Sequence, residues 1–247
     1  MIPLPRRQFP TVSAAGRQRM TSPILTVKQP STRLKWILFG LALSAAAATA
    51  PADITQVARA VDEHYNRLRS LEADFTESYQ GAGMDRTESG TLWLKKPGKM
   101  RWEYRSPREK LFVTDGKDAW FYLPGERQAR KTPVRKLEDL RSPLGLLLGK
   151  TRLEKELQAL SFAPDVPPRL PGDVVLRGVP RKLGDRISQV LLEITPQHQI
   201  VRLDIEEADG SRTEYRFSQQ RENVEVAEGR FHFSPPAGVE TIEDPGP

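Results

Sequence analysis

The sequence predicts a mainly β, α+β protein built on a single antiparallel sheet with one apolar face. Three observations lead there. Runs of alternating apolar and polar residues fill most of the chain from Gly90 onward, and a period of two places one side of a strand in oil and the other in water. Turn residues at hairpin spacing, rather than helical stretches, separate these runs, which favours an antiparallel arrangement over βαβ units. Helical periodicity is confined to the segment after Asp53 and to the stretch 137–157. An antiparallel sheet with one greasy side needs a cover, and the identity of that cover is the functional question.

The chain has 247 residues and a formal charge of +6. That charge is unevenly placed. Residues 1–52 carry seven of the 38 basic residues and no acid, leaving 31 basic against 32 acidic residues from Asp53 onward. The basic balance therefore belongs to the leader, and it gives no support to nucleic-acid binding by the rest. Arg33 and Lys35 precede the apolar run Trp36 to Leu43, and small residues follow to Ala52. This is the pattern of an export signal. The run is too short for a membrane span of about 20 residues. Residues 1–52 are thus expected to be a signal peptide with an N-terminal extension, cleaved after Ala52. Met20 is a candidate true start, and 53–247 is the mature domain, exported to the periplasm and not an integral membrane protein. The chain contains no cysteine, which excludes a disulfide framework, a thiol nucleophile and a lipidated N-terminal cysteine.

Ile54, Val57, Val61, Tyr65 and Leu68 recur at spacings of three and four and form one stripe of an amphipathic helix, with Asp53 as its N-cap. Ala73 to Tyr79 reads as a strand and Gly81 to Ser89 as a polar hairpin loop. Gly90 to Leu123 reads as four short strands punctuated by Pro97-Gly98, Pro107 and Asp115-Gly116. In its second strand Met100, Trp102 and Tyr104 take one face, and Lys99, Arg101, Glu103 and Arg105 the other. In the first strand Leu92 and Leu94 share a face with Lys96, so a cation ends an apolar row. Its ammonium must either snorkel to the rim or find carbonyls at the end of a covering helix, where the negative pole of the helix favours it.

Gly125 to Lys136 reads as a basic loop. Ser142-Pro143 caps a short helix whose residues Leu144, Leu146, Leu147 and Leu148 are apolar, and so greasy a helix must lie on the one-sided sheet. The strands Val174–Leu176, Ile187–Thr195, Ile200–Glu206 and Thr213–Ser218 complete an antiparallel meander. Phe231 to Phe233 reads as a last short strand, and the tail as loop.

No motif for catalysis, metal or cofactor emerges. His64, His198 and His232 lack ligand neighbours at short spacing, and neither a nucleophile elbow nor a P-loop is present. What remains is a concave apolar surface with greasy covers. Such a surface suits acyl chains, since each buried methylene contributes about 0.8 kcal/mol. An exported hydrolase acting on lipids is a rival reading.

Several segments, in order, resemble the LolA family of periplasmic outer-membrane lipoprotein carriers: Ala73 to Thr76, Gly90 to Pro97, Met100 to Trp102, Val113 to Gly116, Trp120 to Tyr122, Ser142-Pro143 with its leucine helix, and Phe231 to Gly238. The resemblance implies an unclosed β-barrel whose apolar concave face is lidded by short helices, without catalysis or cofactor. It implies a monomeric carrier that takes acylated lipoproteins from an inner-membrane ABC transporter of LolCDE type to an outer-membrane acceptor of LolB type. The alternative within the resemblance is a lipid- or lipoprotein-sensing module that does not ferry cargo. The acyl-chain cavity is then expected at Leu92, Leu94, Met100, Trp102, Tyr104 and Val113. The lid helices are expected at Val61, Tyr65, Leu68, Leu144, Leu146, Leu147 and Leu148. In the family an arginine before the proline of the first strand-turn bonds the lid. Here that position is Lys96, which keeps the charge without the planar fork of donors, with partners expected in Leu146–Leu148.

Overall fold

The computed structural model describes residues 53–134 and 152–243. The expected signal segment, the helix expected at 144–148 and the end of the expected basic loop, Arg135 and Lys136, lie outside the described residues. Helix α1 spans Ile54–Arg67, and Asp53 caps it by accepting the Thr55 amide proton at 3.0 Å. Its buried residues, Ala58, Val61 and Tyr65, follow the apolar stripe, and Leu68 at the C-cap is buried with them.

The sheet has twelve strands: β1 Ser70–Gly81, β2 Met84–Lys95, β3 Lys99–Ser106, β4 Lys110–Thr114, β5 Asp118–Tyr122, β6 Gln128–Pro133, β7 Leu157–Phe162, β8 Val174–Pro180, β9 Ile187–Ile194, β10 Ile200–Glu207, β11 Arg212–Glu222 and β12 Glu240–Glu243. A short helix α2, Leu153–Glu156, leads into β7. The strand order is β12-β6-β5-β4-β3-β2-β1-β11-β10-β9-β8-β7. Two antiparallel meanders therefore meet where β1 pairs with β11, and β7 and β12 form the two edges of an unclosed sheet. One face carries the main core: Leu71, Phe75, Leu92, Leu94, Met100 and Trp102 from one meander, Leu176, Leu192, Ile194, Ile200, Leu203 and Phe217 from the other, with α1 packed against them.

Four local expectations are corrected. The polar loop at Gly81–Ser89 is strand: β1 and β2 run on to a two-residue turn at Ala82-Gly83, both with positive φ, a conformation that matches the twist of the flanking strands. The polarity misleads because this end of the hairpin carries charged residues on both faces. Within the expected basic loop, Gln128–Pro133 is strand β6, paired with β5. Leu157, read as the end of the helical stretch, instead opens strand β7, Leu157–Phe162. Phe231 ends a 3-10 turn, Glu228–Phe231, while the tail supplies β12, which pairs with β6 as the one parallel neighbour in the sheet.

Gly90 shows why one position tolerates no side chain. A Cβ there would lie 1.8 Å from the Glu103 carbonyl oxygen, at a register shift between β2 and β3. Gly90 sits opposite both Phe75 and Tyr104, and the two rings meet across it with centroids 4.8 Å apart.

Candidate functional site

The concave floor assembles from strand register. Leu92 lies opposite Ala73 and Trp102, and Leu94 opposite Leu71 and Met100. Five of the expected cavity residues are thus brought together: Leu92, Leu94, Met100 and Trp102 are buried, and Tyr104 is partly buried at the end of the row. Trp102 is the hub, with ring centroids 4.7 Å from Phe75, 5.8 Å from Tyr215 and 6.3 Å from Phe217. Such edge-to-face packing adds about 0.5–1.5 kcal/mol per pair beyond the area buried.

Val113 is placed elsewhere. Register runs Trp93, Arg101, Val113, Trp120, Lys131 across β2 to β6, so Val113 shares the convex face with Arg101. Its neighbour Phe112 lies opposite Trp102 and packs against the concave core. Val113 is nonetheless fully buried, because the convex face has a cover of its own. Residues 223–243 cross that face as a strap. Phe231 and Val226 bury Trp93 in a second apolar cluster, Arg230 stacks 4.2 Å above the Trp93 ring, and Phe233 packs on Trp120 and Tyr122. With oil on both faces, β4 loses the alternation that would have separated Phe112 from Val113.

Val61 and Tyr65 of α1, with Leu68 at its C-cap, enter the concave core. Its C-terminal half is tied by specific polar contacts. Lys96 Nζ donates to the carbonyl oxygens of Tyr65 at 2.6 Å and Asn66 at 3.0 Å. These belong to the last turn, where the helix dipole is negative; the Tyr65 carbonyl also accepts the Leu68 amide proton at 3.3 Å. Lys96 thus bonds the end of α1; the partners expected for it at Leu146–Leu148 lie outside the described residues. The Tyr65 hydroxyl accepts the Ile200 amide proton at 2.9 Å, at the register shift that opens β10. Burial pushes the Tyr65 phenol above its ordinary value and keeps it protonated. His64 Nε2 lies 2.9 Å from Glu222 Oε1, which also accepts from Gln199 at 2.7 Å. Asp62 accepts the Leu153 amide proton at 3.0 and 3.1 Å and so caps α2 from across the interface. Open cavities of about 270 Å³, beside His64 and Glu222, and about 640 Å³, beside Lys95 and Lys96, flank this end of α1.

At the other end the floor changes character. The β1 row Leu71, Ala73, Phe75 continues to Glu77, and the β2 row Leu94, Leu92, Gly90 continues to Glu88; the two acids are cross-strand partners. Both are buried. Tyr104 Oη donates to Glu77 Oε2 at 2.7 Å. Arg86 lies 3.6 Å from Glu77 Oε1 and 3.1 Å from Glu88 Oε2. Lys110 also pairs with Glu88 and stands 4.0 Å over the Tyr104 ring. Burial, reinforced by the Glu77 carboxylate, pushes the Tyr104 phenol far up, so it remains a donor; burial and Glu77 do the same to Tyr215. Sequence reasoning missed this cluster. The signal was present as two apolar rows that turn acidic at the same register, but register is invisible until the hairpin turn is located.

Comparison with known proteins gives one consistent result. A family model described as outer membrane lipoprotein carrier protein LolA matches residues 66–234. An outer-membrane lipoprotein carrier protein of Chromobacterium violaceum is 31% identical over 200 residues, 80% of this chain and 92% of that one. Another, of Alkalilimnicola ehrlichii, is 32% identical over 212 residues, 83% and 94% of the two chains. Among solved structures, an uncharacterized conserved protein of Thermus thermophilus aligns over 76% of this chain and 98% of its own, with a TM-score of 0.50 at 13% identity. That likeness concerns the fold alone.

Proposed function

This chain belongs to the LolA family of outer-membrane lipoprotein carrier proteins, and from that premise we propose that its concave floor receives the acyl chains of the cargo while α1 yields to them. The chain is a lipoprotein carrier of LolA type. Leu92, Leu94, Met100, Trp102 and Tyr104 are the lining, and Val61, Tyr65 and Leu68 are the part of the lid that fills it between loads. Leu144, Leu146, Leu147 and Leu148, expected from the family resemblance as the second part of the lid, lie outside the described residues. An apolar trough cannot stay open to water, and burying a large apolar side chain contributes about 1.5–3 kcal/mol. The protein's own helix therefore occupies the trough until an acyl chain offers comparable burial, which makes uptake an exchange rather than an insertion.

The observation that carries this reading is the Lys96 ammonium on the Tyr65 and Asn66 carbonyls. A charge-assisted hydrogen bond contributes about 1.5–3 kcal/mol, and less where water competes. Such a tie holds α1 down and still lets it go. Lysine supplies this as a point charge rather than a bidentate fork, giving a softer latch than arginine. The carrier works in the periplasm as a monomer. It is loaded by an inner-membrane transporter of LolCDE type and emptied by an outer-membrane acceptor of LolB type. The export pattern ahead of Asp53 and the family relationship support this placement.

The test uses the mature chain, inner-membrane vesicles holding a radiolabelled acylated lipoprotein, and ATP. The expected result is a soluble complex with intact lipoprotein that later passes to acceptor-bearing vesicles. Failure to form a complex, or release of free fatty acid, would overturn the proposal.

A further inference from the structure

We propose that the polar cluster at the far end of the concave floor, formed by Glu77, Glu88, Arg86, Tyr104, Lys110 and Tyr215, is a stop that sets the length of acyl chain this carrier accepts. The proposal rests on the carrier reading and adds a specificity determinant to it. Glu88 in β2 and Lys96, the residue that follows its end, bracket the floor. Their eight-residue separation spans ~26 Å at the ~3.3 Å rise of a strand, with Leu94, Leu92 and Gly90 on the concave side between them. Up to the Phe75 and Tyr104 rings every concave residue of β1, β2 and β3 is apolar or glycine; at the next register position the floor becomes an acid pair with its cations.

A methylene advancing along the floor replaces water with carbon contacts. One that passes Tyr104 meets groups already satisfied by each other. Tyr104 holds Glu77, Arg86 bridges both acids, and Lys110 closes on Glu88 while stacking over Tyr104. Parting these contacts leaves Glu77 or Glu88, both buried, short of a partner, which costs more than one methylene contributes. The cluster is therefore a wall rather than a second binding site. Tyr215, on the neighbouring strand opposite Glu77, carries the same boundary onto β11.

The experiment measures dissociation constants of the mature protein for one cysteine peptide acylated in turn with lauroyl, palmitoyl, stearoyl and behenoyl chains. Affinity should rise roughly fourfold per added methylene, the equivalent of ~0.8 kcal/mol, and then stop rising once the chain reaches the cluster. In a variant carrying Glu88→Leu with Lys110→Met, which removes both members of one pair, the rise should continue to longer chains. Glu77→Gln, which keeps an acceptor for Tyr104 without the charge, should turn the plateau into a shallow slope. A wild-type series without a plateau overturns the stop while leaving the carrier reading intact, and needs no variant. A plateau at an unchanged length in a folded double variant does the same. Wild-type protein that takes up no acyl chain overturns both.

Discussion

The sheet is covered on both faces, and the two covers are built differently. On the concave side α1 packs by apolar contact into the core that the two meanders share. It is tied by side chains: Lys96 to its last carbonyls, Tyr65 to the Ile200 amide, His64 to Glu222. On the convex side the strap 223–243 is fastened by backbone and side chains together. The Asn223 amide donates to Ser70 O at 2.8 Å, Lys95 donates to Val226 O at 2.7 Å, Glu228 pairs with Lys95 and Lys99, and the segment ends as β12 in the sheet. A cover whose backbone belongs to the sheet leaves only when the sheet unfolds. A cover held by side chains on oil can be exchanged for other oil. On the proposed reading, α1 is the lid that cargo displaces and the strap is the lid that stays.

The largest expected effect lies on the strap side. Phe231→Ala removes a ring that is 2% exposed. It should lower the urea-derived unfolding free energy by about 3–5 kcal/mol, without changing cargo affinity under conditions where the protein remains folded. A loss of capture with stability intact would mean that the strap, too, moves with cargo. Lys96→Leu should act the other way round. It removes a half-exposed tie worth about 1–2 kcal/mol after screening. Closing α1 becomes less favourable, so the variant should hold cargo longer and pass less of it to acceptor vesicles, while Lys96→Arg releases at least as well as wild type. Unchanged loading and release in Lys96→Leu would remove the latch from the mechanism.

How much of this was legible in the sequence follows from the same contrast. The α1 side reads well. The α1 stripe, its Asp53 cap, and the rows Leu92–Leu94 and Met100–Trp102–Tyr104 all follow from periodicity, because one face meets oil and the other water. The strap side reads poorly. Val113 was placed on the wrong face since the strap makes both faces of β4 apolar. β12 was read as loop because its four residues, Glu240 to Glu243, acquire strand geometry only by pairing with β6, more than a hundred residues away. Glu77 and Glu88 escaped because their partnership depends on a turn at Ala82-Gly83 that polarity alone disguised as a longer loop.

Tryptophan fluorescence separates the two covers directly. Trp102 lies in the concave core and Trp93 under the strap. In a protein retaining only Trp102, emission should shift when an acylated lipoprotein binds, since the groups over its ring change. In one retaining only Trp93, emission should stay put. A shift at both would show that loading reorganises the sheet itself.

The smallest effect is a difference in acid response. Burial pushes the Asp62 carboxyl up from 3.8 to about 6, with Glu154 adding to it and the Leu153 amide opposing it. A carboxyl with a raised folded-state pKa contributes stability that is complete below pH 4 and is lost as pH rises through 6. Glu228 has the opposite sign. Its hydrogen bonds to Lys95 and Lys99 hold it down to about 2, so its contribution is present above 4.5 and fades only as pH falls toward 2. Between pH 4 and 7 the α1 joint should therefore weaken while the strap stays ionised. In Asp62→Asn the amide oxygen still accepts from Leu153 but does not titrate. Relative to that variant the wild type should lose stability from pH 4 to pH 7, by less than ~1 kcal/mol for a half-exposed group. A Glu228→Gln protein should instead show its offset from wild type unchanged across that interval. Parallel Tm curves for wild type and Asp62→Asn would mean that the carboxylate is wetter than its contact with Leu153 implies, and that α1 and the strap respond to acid alike.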